Sequence, residues 1–519
     1  MYIDSKFSEQ NGKVFLFTLP FVVVANWAIL RSNFLYVDDA ARVYNFGSIN
    51  QGVHGRPFAD FFYKLLTSGI FIDFSPLSQL LALSCLVWSG ILICDVFSKN
   101  CLNRNLTFSG KSLTSFVLSV FPLNYSIISY RFDSLSFGLA ILFAVYGFLV
   151  VAKEDVSKKE FIIHSCIGGA LLAVTMGLYQ PFFGVYTCCC FFHIIAMLLS
   201  DKKSKIICIQ ILKLFLSCLI SGCIYLPIYW HAKYEAAKDF FGLGPHPYVS
   251  RVIQLPEPSN FFRTIIANIK HWLEAIYSYS GPDAPTLSLA ILIVFFLVVI
   301  IQKKISIPKK FFAIFTLPAA FVSCFGVQIF LLHPSNGTRV SVSLCAFAAS
   351  IFSTALCHAN SFFFKKIISM VAVYFILTSS ILLTAIGNAQ RDQYSFQNEI
   401  VFNNLGIDLM RLCNHNSQVK FYISNVDQPI CTSLQLLSEK YGFLREGGAM
   451  SNNIFVAQKY LSYLPINYYI KGSFQEVLIS DIDPIIETPN YSIKKILNDT
   501  YAVTLKALTP HIYTTDRLR

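Results

Sequence analysis

Two carboxylates stand side by side at Asp38-Asp39, and two arginines follow at Arg42 and Arg56. Acids are costly at a bilayer surface and do nothing for insertion. A pair of them just past a long apolar stretch therefore asks for a reason. One reason is local: Asp is a favoured N-cap, and Asp39 suits a helix beginning Ala40-Ala41-Arg42. The other is chemical. A carboxylate beside a low-dielectric interface has its pKa pushed upward, which suits a general base that takes a proton from a sugar hydroxyl. Asp38 is left for that work, and both acids are catalytic candidates. Arginine's planar fork grips phosphate oxygens in pairs, so Arg42, Arg56, Arg131 and Arg339 are candidate phosphate ligands. Their structural reading is snorkelling or pairing with Asp38, Asp39, Asp60 or Asp133. Asp133, in Tyr130-Arg131-Phe132-Asp133-Ser134, reads as a helix cap or as a partner for Arg131, and in either case faces the same place. Tyr179-Gln180 before Pro181 interrupts an apolar run with groups that stack on sugar faces and bond their hydroxyls, or that simply make a turn.

The elements that must hold these residues are membrane helices. The chain has 519 residues, of which 55% are hydrophobic and 13% charged, against about 25% charged in soluble domains. A span needs about 20 apolar residues. Eleven are readable, beginning near Val14, Ser75, Leu113, Ser134, Phe161, Pro181, Ile206, Thr286, Phe311, Val340 and Ile367. The first lacks a small-residue cleavage site after it and reads as a retained helix, not a signal peptide. Residues 57–73 are apolar but interrupted, as expected of a helix lying in the interface.

The net charge of +12 suggests nucleic acid only until the lysines are placed. They fall in alternate connections: Lys6 and Lys13; Lys99, Arg104 and Lys111; Lys153, Lys158 and Lys159; Lys202, Lys203 and Lys205; Lys303, Lys304, Lys309 and Lys310; Lys365 and Lys366. That is the positive-inside pattern. It predicts a cytoplasmic N-terminus and, after an odd number of spans, an outer C-terminal region. All candidate residues then face outward, in a first loop at 31–74, a long loop at 231–285 with an amphipathic helix over Phe261–Tyr279, and the turns at 129–134, 177–181 and 333–339.

The organisation expected is a transmembrane domain over 1–387 and a small α/β domain over 388–519. The latter has a strand at Lys420–Asn425, a helix at Leu434–Phe443, a strand at Phe474–Ser480, and a hairpin of Tyr491–Ile496 with Tyr501–Leu505. Cys413 and Cys431 lie in that region and are expected to pair in an oxidising compartment. The remaining cysteines show no zinc-ligand spacing.

These motifs in this order resemble a known class. Asp38-Asp39-Ala-Ala-Arg42-Val-Tyr44 is similar to the Asp-Glu…Arg-Tyr signature of membrane glycosyltransferases of the GT-C fold, with Asp in place of Glu and one extra residue before the arginine. By that likeness Asp38 matches the catalytic base. More closely, the chain resembles the GtrII-like group, bacteriophage-encoded serotype-converting O-antigen glucosyltransferases. The likeness lies in Asp38-Asp39…Arg42, Gly55-Arg56-Pro57, Ser75-Pro76-Leu77, Ser129-Tyr-Arg-Phe-Asp133-Ser134 and Leu178-Tyr179-Gln180. It implies a GT-C-like, α-helical polytopic fold in a bacterial inner membrane, with the C-terminal domain periplasmic. It implies undecaprenyl-phosphate glucose as donor, lipid-linked O-antigen as acceptor, and a donor-synthesising glucosyltransferase and a flippase as companions. The mechanism expected is inverting transfer, and because the polyprenyl phosphate leaves readily with its charge held by arginines, no cofactor and no obligatory metal are expected. Competing readings are an O-antigen polymerase or ligase, which is expected to place key arginines in large outer loops. A lipid-linked saccharide flippase is expected to carry mid-membrane charges or broken repeats.

Overall fold

In a membrane each backbone N–H and C=O must find its partner within the protein, so long apolar runs become helices. The computed structural model describes residues 5–34, 56–67, 73–102, 107–154, 157–237, 256–279, 283–331, 338–396, 401–413, 420–424, 431–441, 467–470, 482–497 and 500–505. The chain divides into two compact units, Met1–Leu30 with Ser48–Ala385, and Arg31–Gly47 with Ile386–Arg519.

The first unit is helical. Its elements are α1 (Ser5–Leu30), α2 (Pro57–Thr67), α3 (Leu77–Leu102), α4 (Phe108–Ser119), α5 (Tyr125–Ile128), α6 (Ser134–Val151), α7 (Lys158–Tyr179), α8 (Phe183–Leu199), α9 (Ser204–Ala237), α10 (Phe261–Tyr279), α11 (Ala284–Gln302), α12 (Ile307–Ser323), α13 (Leu344–His358) and most of α14 (Phe362–Ser395). Each of the eleven expected spans overlaps a helix, but those begun near Leu113 and Phe311 lie on α4 and α12, which are 12 and 17 residues long and shorter than a full span. Among the described residues, eight stretches are long and apolar enough to cross a membrane, and one of these, Lys158–Leu199, is two helices in succession. The third expected span is not one helix. α4 stops before Pro122, which has no N–H to continue it, and the Asn124 amide instead donates to the Leu118 and Ser119 carbonyls at 2.7 and 3.1 Å.

At the centre stands the segment Val340–His358, wholly buried, whereas α1, α9, α11 and α14 leave most of their apolar windows less than fully buried. Ala346, Ala348, Ala349, Ser350, Ser353 and Ala355 keep α13 slim, and small residues let membrane helices approach closely. Gly138 does the same between α3 and α6: a Cβ there would lie 2.6 Å from the Ala82 Cα. α2 and α10 are amphipathic, as expected. α2 buries Ala59, Asp60 and Tyr63 and exposes Phe61, Leu65 and Leu66; α10 buries Asn268, Trp272 and Ala275 and exposes Phe262, Ile266 and Leu273.

The lysine-bearing connections meet at one end. Lys202 pairs with Glu154 and Lys309 with Asp201, each at 2.6 Å, and Lys213 Nζ donates to the Lys153 carbonyl. Beside α1, a buried triad ties three helices: Asn11 donates to Asp95 (2.6 Å), and Lys111 reaches both Asn11 (2.7 Å) and Asp95 (2.7 Å). A buried charge survives in such a place only when paired.

The second unit contains α15 (Asn403–Cys413), α16 (Thr432–Lys440) and a five-stranded sheet. The strands are β1 (Lys420–Ser424), β2 (Asn467–Ile470), β3 (Ile486–Glu487), β4 (Tyr491–Leu497) and β5 (Thr500–Leu505), in the order β2-β1-β5-β4-β3. β1 runs parallel to β2 and β5, and the expected hairpin is the antiparallel β4–β5 pair. Leu405 and Leu409 of α15 pack on Phe421, Ile493 and Val503, and the Tyr491 hydroxyl donates to Asp408 at 2.7 Å. The strand expected over 474–480 lies outside the described residues. The expected disulfide does not form. Cys413 and Cys431 are both free thiols; Cys413 is packed in the sheet core, and Cys431 lies 3.8 Å from the Ala389 carbonyl oxygen.

Candidate active site

At the end of the first unit away from the lysines, three interruptions of regular helix come together. The first runs through Pro122–Asp133. The second is Tyr179 with the 3₁₀ turn Gln180–Phe182, where Pro181 ends α7 for the same reason as Pro122. The third is Gly326–Phe330 with Thr338–Ser343. Gly326 has φ +60°, a left-handed conformation natural to glycine. Hydrogen bonds hold the turns to the bundle. Ser78 donates to the Arg131 carbonyl and Gln79 to that of Ile128. Ser343 donates to the Pro181 carbonyl, and Asn268 of α10 donates to Ile329 and Leu331. Irregular backbone at membrane depth is tolerated where it is buried in protein or lines a polar cavity.

Arg56 sits among these turns at the start of α2. α2 lies close on α7 because residue 177 is glycine: a Cβ there would be 2.0 Å from the Phe58 ring. The guanidinium stands 4.6 Å from the Tyr179 ring centroid and 5.9 Å from that of Phe137. The two rings pack on each other at 4.5 Å. Asp133, 2% exposed, is the ion partner, but its carboxylate is 3.9 Å from Arg56 Nη1, too far for a hydrogen bond. Arg56 is only 13% exposed, and its Nε has no hydrogen-bond partner among the described residues. The cation is thus held by aromatic faces and a distant charge, with donor capacity to spare. A desolvated cation–π contact contributes about 2 kcal/mol.

Asp133 occupies the N-cap position of α6 without a side-chain cap bond; its carboxylate turns to Arg56. Arg131, expected to pair within its own turn, reaches Asp73 at 2.6 Å. Gln180 donates to the Tyr225 hydroxyl of α9 at 3.1 Å. Tyr225 packs on Tyr229, one turn further on, and lies within reach of the Arg56 charge.

So Arg56, Asp133, Tyr179 and Gln180, chosen from three separate stretches of sequence, form one cluster with Tyr225. Arg131 is nearby in sequence but engaged with Asp73. Asp38, Asp39 and Arg42 lie outside the described residues, as does the side chain of Arg339, whose backbone lies in the turn Thr338–Ser343 preceding α13. Sequence reasoning missed Asp73, Phe137, Tyr225 and Tyr229. The recurrence of tyrosine at i and i+4 in an apolar span was a signal for the last two, since each phenol needs a polar neighbour once buried.

The family model described as Glucosyl transferase GtrII matches residues 27–353. No curated protein matches the chain.

Proposed function

This chain belongs to the Glucosyl transferase GtrII family, and on that premise we propose that it moves glucose from undecaprenyl-phosphate glucose to a sugar of lipid-linked O-antigen at the periplasmic face of a bacterial inner membrane. The observation that carries this reading is Arg56: a largely enclosed guanidinium with a distant carboxylate, an Nε without a hydrogen-bond partner among the described residues, and an aromatic floor. Such a group suits an anion that comes and goes.

In the proposed reaction Asp38 takes the acceptor hydroxyl proton, with Asp39 capping the helix beside it. The acceptor oxygen forms a bond to the anomeric carbon as the bond from that carbon to the phosphate oxygen breaks, so the configuration inverts. The donor phosphate is a diester with one negative charge, and it leaves as a monoester that carries more. Charge therefore grows on its oxygens in the transition state. Donors held ready for that charge lower the barrier; in this reading Arg56 is one, Arg42 and Arg339 are the others, and no metal is obligatory. In this reading Tyr179 and Gln180 meet the sugar, and Tyr225 holds the Gln180 amide.

A polymerase or ligase would use the same lipid-linked class of substrate, and a flippase would need no base. One assay separates the three. Purified protein is mixed with polyprenyl-phosphate hexoses and lipid-linked O-antigen, and the products are weighed by mass spectrometry. One added glucose per repeat supports the proposal. Lengthened chains or an unchanged acceptor overturn it.

A further inference from the structure

The connections at the lysine end are not all neutralised alike. Lys202 and Lys309 have carboxylates at 2.6 Å. Lys303 and Lys304, at the end of α11, and Lys365 and Lys366, in the first turns of α14, have no ion-pair partner among the described residues. They are not scattered. Burial, and after it the charge of Lys365, hold the Lys303 ammonium below its ordinary value. The Phe295–Phe364 ring contact, 6.5 Å between centroids, sets the start of α14 against α11 two turns before its end.

A second, independent feature lies beside them. His358 ends α13, is 1% exposed, and sits within reach of the Lys303 charge. Neither of its ring nitrogens has a hydrogen-bond partner among the described residues. A neutral imidazole has one donor and one acceptor to satisfy, and leaving buried polar atoms unmet is costly. Around the cations, Ile301, Ile307, Phe362 and Phe363 are more than half exposed. Unmatched positive charge at the edge of an apolar surface fits one kind of molecule: an anionic headgroup with acyl chains attached.

We propose that Lys303, Lys304, Lys365 and Lys366, with His358 beside them, bind the phosphate of an anionic phospholipid. The site lies at the opposite end of the bundle from the Arg56 cluster, and it does not depend on the sugar-transfer reading. Lysine suits the role because its ammonium acts as a mobile point charge, and the phosphate supplies the counter-charge that no side chain provides.

The test is native mass spectrometry of the full chain, titrated with phosphatidylglycerol or with phosphatidylcholine. Phosphatidylglycerol is expected to remain bound in preference. The K303Q/K365Q variant should weaken its retention by about thirtyfold, the worth of two surface cations. K304Q/K366Q changes two residues with less packing to disturb, and should lower retention in the same direction. The K202Q/K309Q variant, whose lysines are already matched by carboxylates, should leave it unchanged. Equal retention of the two lipids, or undiminished preference in both lysine variants, overturns the proposal. Displacement of the lipid by millimolar inorganic phosphate also overturns it, because the site would then be one for a soluble anion.

Discussion

Arg56 is held by aromatic faces more than by its carboxylate, and that sets what each substitution should do. Lysine keeps the charge but loses the planar fork and its stacking on Tyr179. Arg56→Lys should therefore lower kcat/KM for the polyprenyl-phosphate donor by about tenfold, and Arg56→Ala by about 10²–10³-fold, the usual cost of removing one donor from a developing anion. Tyr179→Phe keeps the ring and should be mild; Tyr179→Leu removes it and should cost a further few-fold to about thirtyfold in donor affinity. Steady-state kinetics against donor concentration check this, and full activity in Arg56→Ala would move the phosphate site elsewhere. Asp38 makes a different demand. Asp38→Asn keeps shape but cannot accept a proton, so transfer should fall about 10²–10⁴-fold while the protein stays folded and inserted. Asp39→Asn should be milder, since Asn is itself a good cap. Robust turnover in both single variants and in the double variant would leave the acid pair without a catalytic role.

The elements around the site are joined by close approaches. Gly177→Ala places a Cβ where the Phe58 ring now lies. Either the ring or the whole of α2 must give, at a cost of about 1–3 kcal/mol for an overpacked contact. Because Arg56 immediately precedes α2, the expected outcome is a deep loss of transfer with only a modest fall in the thermal midpoint in detergent. Restoration by a second change, Phe58→Leu, would tie the effect to that contact; no loss at all would show that α2 docks with room to spare. At the other end, the Asn11–Asp95–Lys111 triad should respond as a buried pair does. Lys111→Ala removes the ammonium partner of Asp95 and should destabilise by about 3–5 kcal/mol, whereas the Lys111→Ala/Asp95→Ala double variant should recover much of it. Denaturation in mild detergent would measure both, and equal losses in the single and double variants would refute the pairing argument.

At the scale of the molecule, the first unit separates its charges. The lysine connections gather at one end, through Lys202–Glu154, Lys309–Asp201 and Lys213, and the Arg56 cluster with its broken helices occupies the other. With the positive-inside bias, the expectation is that reporter fusions after Ile386 score as periplasmic. A cytoplasmic score would put every candidate site residue on the wrong side for a lipid-linked acceptor outside.

Much of this architecture was legible from the sequence, for a physical reason. Membrane helices declare themselves locally, because apolar length and the absence of charge decide them residue by residue. Other signals were local too: an interrupted apolar run for α2, amphipathic spacing for α10, and a turn at Asn498-Asp499 between two strand-like runs for the β4–β5 hairpin. The candidate residues were also visible by type, since an arginine or an acid between apolar spans is conspicuous. What the sequence could not decide was who meets whom. That Asp133 faces Arg56 while Arg131 reaches Asp73, that Gln180 finds Tyr225, and that Cys413 and Cys431 are buried as free thiols are outcomes of packing between segments far apart in the chain. Only tertiary structure chooses among such partners, because a buried charge takes whichever opposite group the helix packing brings near, and sequence distance does not enter that energy.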